Sequence, residues 1–343
     1  MEKIDNRINV KEKQLDELCG FFKEIREPVY KGRQLFTWLW KKGIDDFSLY
    51  SDFSKKLREH LKAYYYIGRL HINDYLLSSD GTCKYIFSRE TGDIIESVFI
   101  PSNDRRTVCI STQVGCPLKC SFCATGQGKF KGDLLAWEIA DQVLQIIKHQ
   151  GVQVTNVVLM GMGEPFLNWE NTKKALHIIN SSYGISIGSR KITVSTAGII
   201  PGIYDLTDFP LQVRLAVSLN SAIQEKRDKI MPVARKYLLF DLKKAIKFYY
   251  NKKHRMVTLE YVLIHKFNTS REDFLALKEF TKNLKVKINL IPLNFNQNIP
   301  FLPPSEKEIN YFYNLCLFLP YPVTIRESKG KDIKAACGQL VNK

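Results

Sequence analysis

TVCISTQVGCPLKCSFCATG, residues 107–126, runs from an apolar strand candidate into a loop that carries three cysteines. Cys116, Cys120 and Cys123 stand in a C-x3-C-x2-C spacing, with Phe122 just before the last of them. Three thiolates in one short loop can each ligate one iron of a [4Fe–4S] cubane and leave the fourth iron without a protein ligand. The amino and carboxylate groups of S-adenosylmethionine can chelate such an open iron, which brings the sulfonium to where one electron breaks a C–S bond. A three-cysteine zinc site and an ordinary electron-transfer cluster are the competing readings. Zinc usually takes a fourth Cys or His close by, and none follows the loop. Its position directly after a strand favours cleavage of S-adenosylmethionine over both.

Outward from this stretch the pattern is strand, then helix. Apolar strand candidates fall at 108–111, 156–160, 192–195, 213–219, 257–263, 288–293 and 323–325. Helix-like stretches at 134–148, 172–180, 238–251, 272–282 and 306–318 lie between them. About six βα units in succession predict an α/β fold with a parallel sheet, closed or partly closed into a barrel such as a partial (βα)6 TIM-like one. Chemistry in such barrels sits on the loops at the C-terminal strand ends. LMGMGEP, residues 159–165, occupies one of them. Gly163 would let a ligand approach the backbone, and the Glu164 carboxylate can accept hydrogen bonds from an ammonium group. Ser195, the Ser218-Leu219-Asn220 run and Asn294 end later strands and would face the same mouth.

The chain divides into four parts on this reading. Residues 1–66 form a helical accessory domain expected to bind RNA, and 67–101 a β extension with strands at 69–77, 83–88 and 94–100. Residues 102–330 form the barrel core, and 331–343 a short tail carrying Cys337, an odd place for a core cysteine. Of the 343 residues 45% are hydrophobic and 25% charged, which excludes long disorder. No apolar run is long enough to span a bilayer, and the charged start lacks the apolar core of a signal peptide. No membrane partner is expected, and the cytoplasm is the expected compartment. Lys plus Arg number 51 against 35 Asp plus Glu, a net charge of +16 that suits a protein gripping phosphate backbones. Basic segments at Lys226, Arg227 and Lys229, at Arg235 and Lys236, and at Lys252, Lys253 and Arg255 could bind RNA or simply be solvated. Cys19, Cys83 and Cys316 read as small core residues.

The sequence resembles the RlmN/Cfr family, radical methyltransferases that methylate adenosine in ribosomal and transfer RNA. The residues that carry the resemblance are IIESVFIP around Glu96, the cysteine stretch above, LMGMGEP, ITVSTAGIIPGI, LAVSLNSA, KIMPVARKY, INLIPLN and the tail DIKAACGQL. The resemblance implies that Cys337 is the cysteine methylated on itself, that Cys109 resolves a covalent protein–RNA intermediate, and that Glu96 accepts a proton. It implies that Gly163, Glu164, Ser195, Ser218, Leu219, Asn220 and Asn294 contact S-adenosylmethionine. Two positions depart from the family pattern: Asn220 stands where His is usual, and Phe295 where Pro is common. The implied substrates are an adenosine of 23S rRNA at the peptidyl transferase centre and the adenosine 3′ to the anticodon in tRNA, both methylated at C2. An external electron donor such as flavodoxin or ferredoxin and a monomeric state are also implied. The C8-directed branch of the family is the nearest alternative. A non-enzymatic RNA-binding protein with a structural metal site is the more distant one.

Overall fold

A computed structural model describes residues 7–341; the first six residues of the charged start and the last two of the tail lie outside it. The N-terminal module begins with β1 (Ile8–Asn9), continues through α1 (Leu15–Glu24), α2 (Tyr30–Trp40) and α3 (Lys55–Tyr64), and ends in β2 (Tyr65–Tyr66). β1 and β2 pair in parallel, so the first and last segments of the module meet. Apolar side chains three or four residues apart on each helix, such as Leu18 and Phe22, Leu35 and Leu39, and Leu57 and Leu61, are buried together. Gly32 lets α2 press onto α1, since a Cβ there would lie 2.6 Å from the Cys19 backbone nitrogen.

Three antiparallel strands follow, β3 (His71–Leu77), β4 (Cys83–Ser88) and β5 (Ile94–Ser102), and β5 turns directly into β6 (Arg105–Cys109). A small hairpin, β7 (Gln113–Val114) with β8 (Gly132–Asp133), brackets the cysteine loop and its single helical turn α4 (Ala124–Gln127). The rest alternates as expected: α5 (Ala136–Gln150), β9 (Asn156–Leu159), α6 (Trp169–Asn180), β10 (Ile192–Thr196), α7 (Ile200–Asp208) and β11 (Arg214–Ser218). Then come α8 (Gln224–Ile230), α9 (Leu239–Lys253), β12 (Val257–Leu263), α10 (Arg271–Thr281), β13 (Val286–Pro292), α11 (Glu306–Cys316) and β14 (Val323–Ile325). One sheet runs in the order β14-β13-β12-β11-β10-β9-β6-β5-β4-β3. β6 and β9 to β14 pair in parallel, the arrangement of a partial TIM-like barrel, while β3 to β6 pair antiparallel. The strands of the stretch 67–101 are therefore continuous with the core sheet. The short helices α7 and α8 escaped the periodicity reading; Pro201 in the first turn of α7 is the local signal for the former.

The tail joins the two ends of this sheet. Arg326 N–H still pairs with the Leu290 carbonyl at the β14 edge, at 2.8 Å. A few residues on, Gly330 N–H donates to Asp80 Oδ2 at 3.0 Å, and Ser78 Oγ donates to Asp332 Oδ1 at 2.6 Å, both in the β3–β4 turn. An open barrel is thus strapped shut by its own C-terminus.

A buried ion pair fixes the N-terminal module to α5. Lys11 Nζ lies 2.7 Å from Asp141 Oδ1, with the side chains 3% and 0% exposed, and Asp141 Oδ2 also accepts from Leu70 N–H at 2.8 Å. Removing one member leaves the other charge buried and alone, which costs about 3–5 kcal/mol. Asp141→Ala is expected to lose stability of that order in urea unfolding, with tryptophan fluorescence reporting release of the module that holds Trp38 and Trp40.

Candidate active site

The cysteine loop is held by backbone on every side. Gly115, at φ +79°, lies so close to Lys129 that a Cβ would come 2.3 Å from its carbonyl oxygen. Ser121 N–H donates to the Ile230 carbonyl at 3.0 Å, and Gln127 Nε2 to the Cys120 carbonyl at 3.0 Å. Cys116, Cys120 and Cys123 line one cleft together with Gly163, Glu164, Ser195, Ser218, Asn220, Asn294 and Cys337. Burial first, and backed by the charges of neighbouring thiolates, pushes Cys116 up to about 12 and Cys120 well above the usual thiol value. Ionising Cys116 and Cys120 therefore calls for a positively charged partner, which iron would supply. Among the described residues no three His, Cys, Asp or Glu side chains gather tightly enough to share one metal ion. Three thiolates that serve three different irons of a cubane have no need to, so the donor set fits a cluster better than zinc.

Across the cleft, the GMGEP turn lies against the segment that follows β6. A Cβ on Gly161 would sit 2.7 Å from the Ile110 carbonyl, and one on Gly163, at φ +103°, 2.6 Å from Gln113 Cβ. Glu164 N–H donates to Gln113 Oε1 at 2.9 Å. The Glu164 carboxylate accepts from Phe166 N–H at 3.2 Å and Ala197 N–H at 2.8 Å. Burial lifts its pKa to about 7 in spite of these donors. An ammonium group beside it would restore the charge, which is what the amino end of an amino-acid ligand offers. Asn220 takes the left-handed conformation, φ +57°, that Asn tolerates, and its side chain bonds Val262 N–H at 3.0 Å. Leu219 directly follows β11. Its side chain is in the core and lines neither cleft, while its carbonyl accepts from Arg227 Nε at 3.1 Å.

Cys337 is exposed and sits where this cleft meets a second one, which is also lined by Cys109, Arg105, Met160, Arg326 and Lys329. Asn294 Nδ2 donates to the Cys337 carbonyl at 3.2 Å, so Asn294 holds the tail as well as facing the cleft. Cys109 is buried; burial and then the Cys337 charge push it up to about 12, while Arg326 pulls the other way. Arg326 is itself held more firmly protonated, chiefly by the Cys337 charge. Glu96 lines neither cleft: it is buried beneath the tail, paired with Lys84 at 3.2 Å.

A profile described as the radical SAM superfamily matches residues 110–278, and one described as the ribosomal RNA large subunit methyltransferase N-terminal domain matches residues 8–67. A protein of Thermoanaerobacter sp. (strain X514), named probable dual-specificity RNA methyltransferase RlmN, is 41% identical over 98% of both chains. A Clostridioides difficile (strain 630) protein of the same name is 42% identical over 96% of both. The crystal structure of a radical SAM methyltransferase from Sphaerobacter thermophilus superposes with a TM-score of 0.92 at 37% identity, covering 97% of this chain and 99% of that one. This chain belongs to the RlmN family.

As a radical SAM methyltransferase of that family it uses a [4Fe–4S] cluster and S-adenosylmethionine. Two arginines of its site were not singled out from sequence. Arg326 follows the last strand, a place where barrel chemistry gathers. Arg227, one of the basic residues that could bind RNA or be solvated, is instead fully buried. Its guanidinium bonds the Leu219 carbonyl and, at 2.7 Å, the Ala197 carbonyl, and its charge acts on Cys120. Lys226 is likewise committed, to Asp273 at 2.8 Å. No periodic signal distinguishes a buried arginine that caps carbonyls from a surface one.

Each of Cys116→Ala, Cys120→Ala and Cys123→Ala is expected to lose most bound iron after anaerobic reconstitution, read as iron and sulfide per chain. Cys19→Ala should keep the full complement.

Proposed function

We propose that this enzyme methylates C2 of one adenosine in 23S rRNA at the peptidyl transferase centre and C2 of the adenosine 3′ to the anticodon in tRNA. Cys337 carries the methyl group and Cys109 resolves the intermediate. The observation that carries this reading is the place of Cys337, on a tail at the junction of the cleft of three cysteines and the cleft of Cys109. Cys116, Cys120 and Cys123 hold the cluster; Gly163, Glu164, Ser195, Ser218, Asn220 and Asn294, with the backbone of Leu219, form the S-adenosylmethionine site. When bound, the cluster and S-adenosylmethionine supply reductive C–S cleavage, and with it a means of taking hydrogen from an unactivated methyl group.

The protein's own part follows from its thiols. Adenine C2 is an electron-poor sp2 carbon that an ordinary sulfonium transfer does not methylate, so the methyl group is first loaded onto sulfur. An exposed Cys337 meets the access that displacement by a thiolate requires. Once its methylthio carbon has bonded to C2, the tail is tethered to RNA. Once the tethered adduct has given up one electron, which the bound cluster would take back, and its C2 proton, the Cys109 thiolate attacks the Cys337 sulfur. The bond from that sulfur to the new methyl carbon breaks with its electron pair left on that carbon, which takes up a proton, and the Cys109–Cys337 disulfide that remains is reset by an external reductant. Arg326, beside both thiols, favours the ionised Cys109 that this attack needs. Glu96 is the proton acceptor for C2 in this scheme, available once the tail that covers it moves. RNA enters by the Cys109 cleft, whose rim carries Arg105 and Lys329. The N-terminal module grips the folded RNA by shape, and the enzyme works as a monomer in the cytoplasm.

Mass spectrometry of rRNA and tRNA nucleosides is expected to lose 2-methyladenosine when the protein is deleted and to recover it with the wild type but not with Cys337→Ala. Loss of 8-methyladenosine instead would move the reading to C8. Cys109→Ala should leave RNA attached to the protein, seen as a ribonuclease-sensitive mass increase on the Cys337 peptide.

A further inference from the structure

Lys84 on β4 and Glu96 on β5 form an ion pair whose side chains are only 7% and 4% exposed. The tail contacts both. Lys84 Nζ donates to the Lys334 carbonyl at 3.4 Å, and Glu96 Oε2 accepts from Val341 N–H at 2.9 Å. These two backbone points bracket Cys337, one on each side of it. The strand register puts Lys84 opposite Val98, and Val98 opposite Cys109. The pair therefore sits on the sheet face that carries Cys109, two strands or about 10 Å from its backbone. A buried Lys–Glu pair adds little stability over apolar residues of similar size, so stability alone does not account for it.

We propose that Lys84 and Glu96 clamp the docked tail, which makes Lys84 a positioning residue for the Cys337 thiol. This rests on the reading of Cys337 as the methyl carrier. The clamp grips backbone on either side of the cysteine and leaves its sulfur free to change partners. Its hold is a few charge-assisted hydrogen bonds, strong enough to orient and weak enough to release. Asn294 on the Cys337 carbonyl and Gln339 Nε2 on the Phe295 carbonyl, at 3.1 Å, steady the segment between the two points. In the docked state the Glu96 carboxylate is engaged, so undocking of the tail and release of Glu96 are one event.

The test uses the full chain without RNA. Oxidised glutathione converts the two thiols to the Cys109–Cys337 disulfide and is itself reduced to glutathione, so the rate reports how well the tail is placed. Lys84→Met is expected to slow disulfide formation about tenfold and to speed amide exchange at Val341 by a similar factor, the scale of one lost charge-assisted hydrogen bond. Lys84→Arg should restore most of both, and iron content after reconstitution should stay at the wild-type level. Val341→Pro, which removes the N–H donor and keeps the ion pair, should slow the disulfide to the same degree and decides the matter if Lys84→Met does not fold. Wild-type disulfide rates in Lys84→Met, or in Val341→Pro, would overturn the clamp. Neither readout needs methyl transfer, so loss of the carrier reading in the nucleoside experiment would leave this result distinguishable.

Discussion

The Ser111 hydroxyl is the point on which the rest of the site hangs. Its oxygen donates to the Glu96 carbonyl at 2.6 Å and accepts from Met162 N–H at 2.8 Å, while Ser111 N–H donates to Gln142 Oε1 at 2.8 Å. One fully buried residue thereby ties the end of β6 to β5, to the GMGEP turn after β9 and to helix α5. The cysteine loop leaves this knot on one side and the Glu164 turn on the other. Their separation is set before any ligand arrives, which is what preorganised binding requires. Buried polar groups are costly unless satisfied, so a knot in which each is paired also resists rearrangement.

Charge is arranged around that frame in opposition. Buried thiols and the Glu164 carboxyl are driven toward their neutral forms by desolvation, so a cationic partner would favour their ionised forms. Two arginines answer from the protein side, Arg227 next to Cys120 and Arg326 between Cys109 and Cys337. Among the described residues neither has a carboxylate within ion-pair distance. Arg227 spends its hydrogen bonds on carbonyls at the ends of β10 and β11, and so holds a positive charge at the mouth of the barrel without neutralising it.

The tail shows how a partial barrel can use its missing strands. A closed barrel would bury the lumen face of β4, β5 and β6 behind further strands. Here residues 326–341 cross that gap, held by Asp80 and Ser78, by Lys84 and Glu96, and by the cluster loop itself, where Ala124 N–H donates to the Gly338 carbonyl at 2.8 Å and Thr125 Oγ1 to the Leu340 carbonyl at 2.6 Å. Side-chain and loop contacts of this kind are easier to break than a strand ladder, which suits the proposed role of a segment that presents Cys337 where two clefts meet.

What the sequence determined by itself was local. Alternating apolar runs and helical periods depend on neighbours within a few residues, and strands β4, β12 and β14 fall where their patterns begin and end. The three cysteines and the GMGEP turn were legible for the same reason, because their chemistry lies in short spacings. Continuity of β3 to β5 with the barrel sheet was not, since antiparallel pairing across the β5–β6 turn is a register between strands and not a property of either. Leu219 facing the core, Arg227 buried against the Leu219 and Ala197 carbonyls and Glu96 beneath the tail were decided by tertiary structure alone. Each turns on which other backbone arrives beside it: a side chain's type states what it can bind, and only the packing of segments from elsewhere in the chain states what it meets.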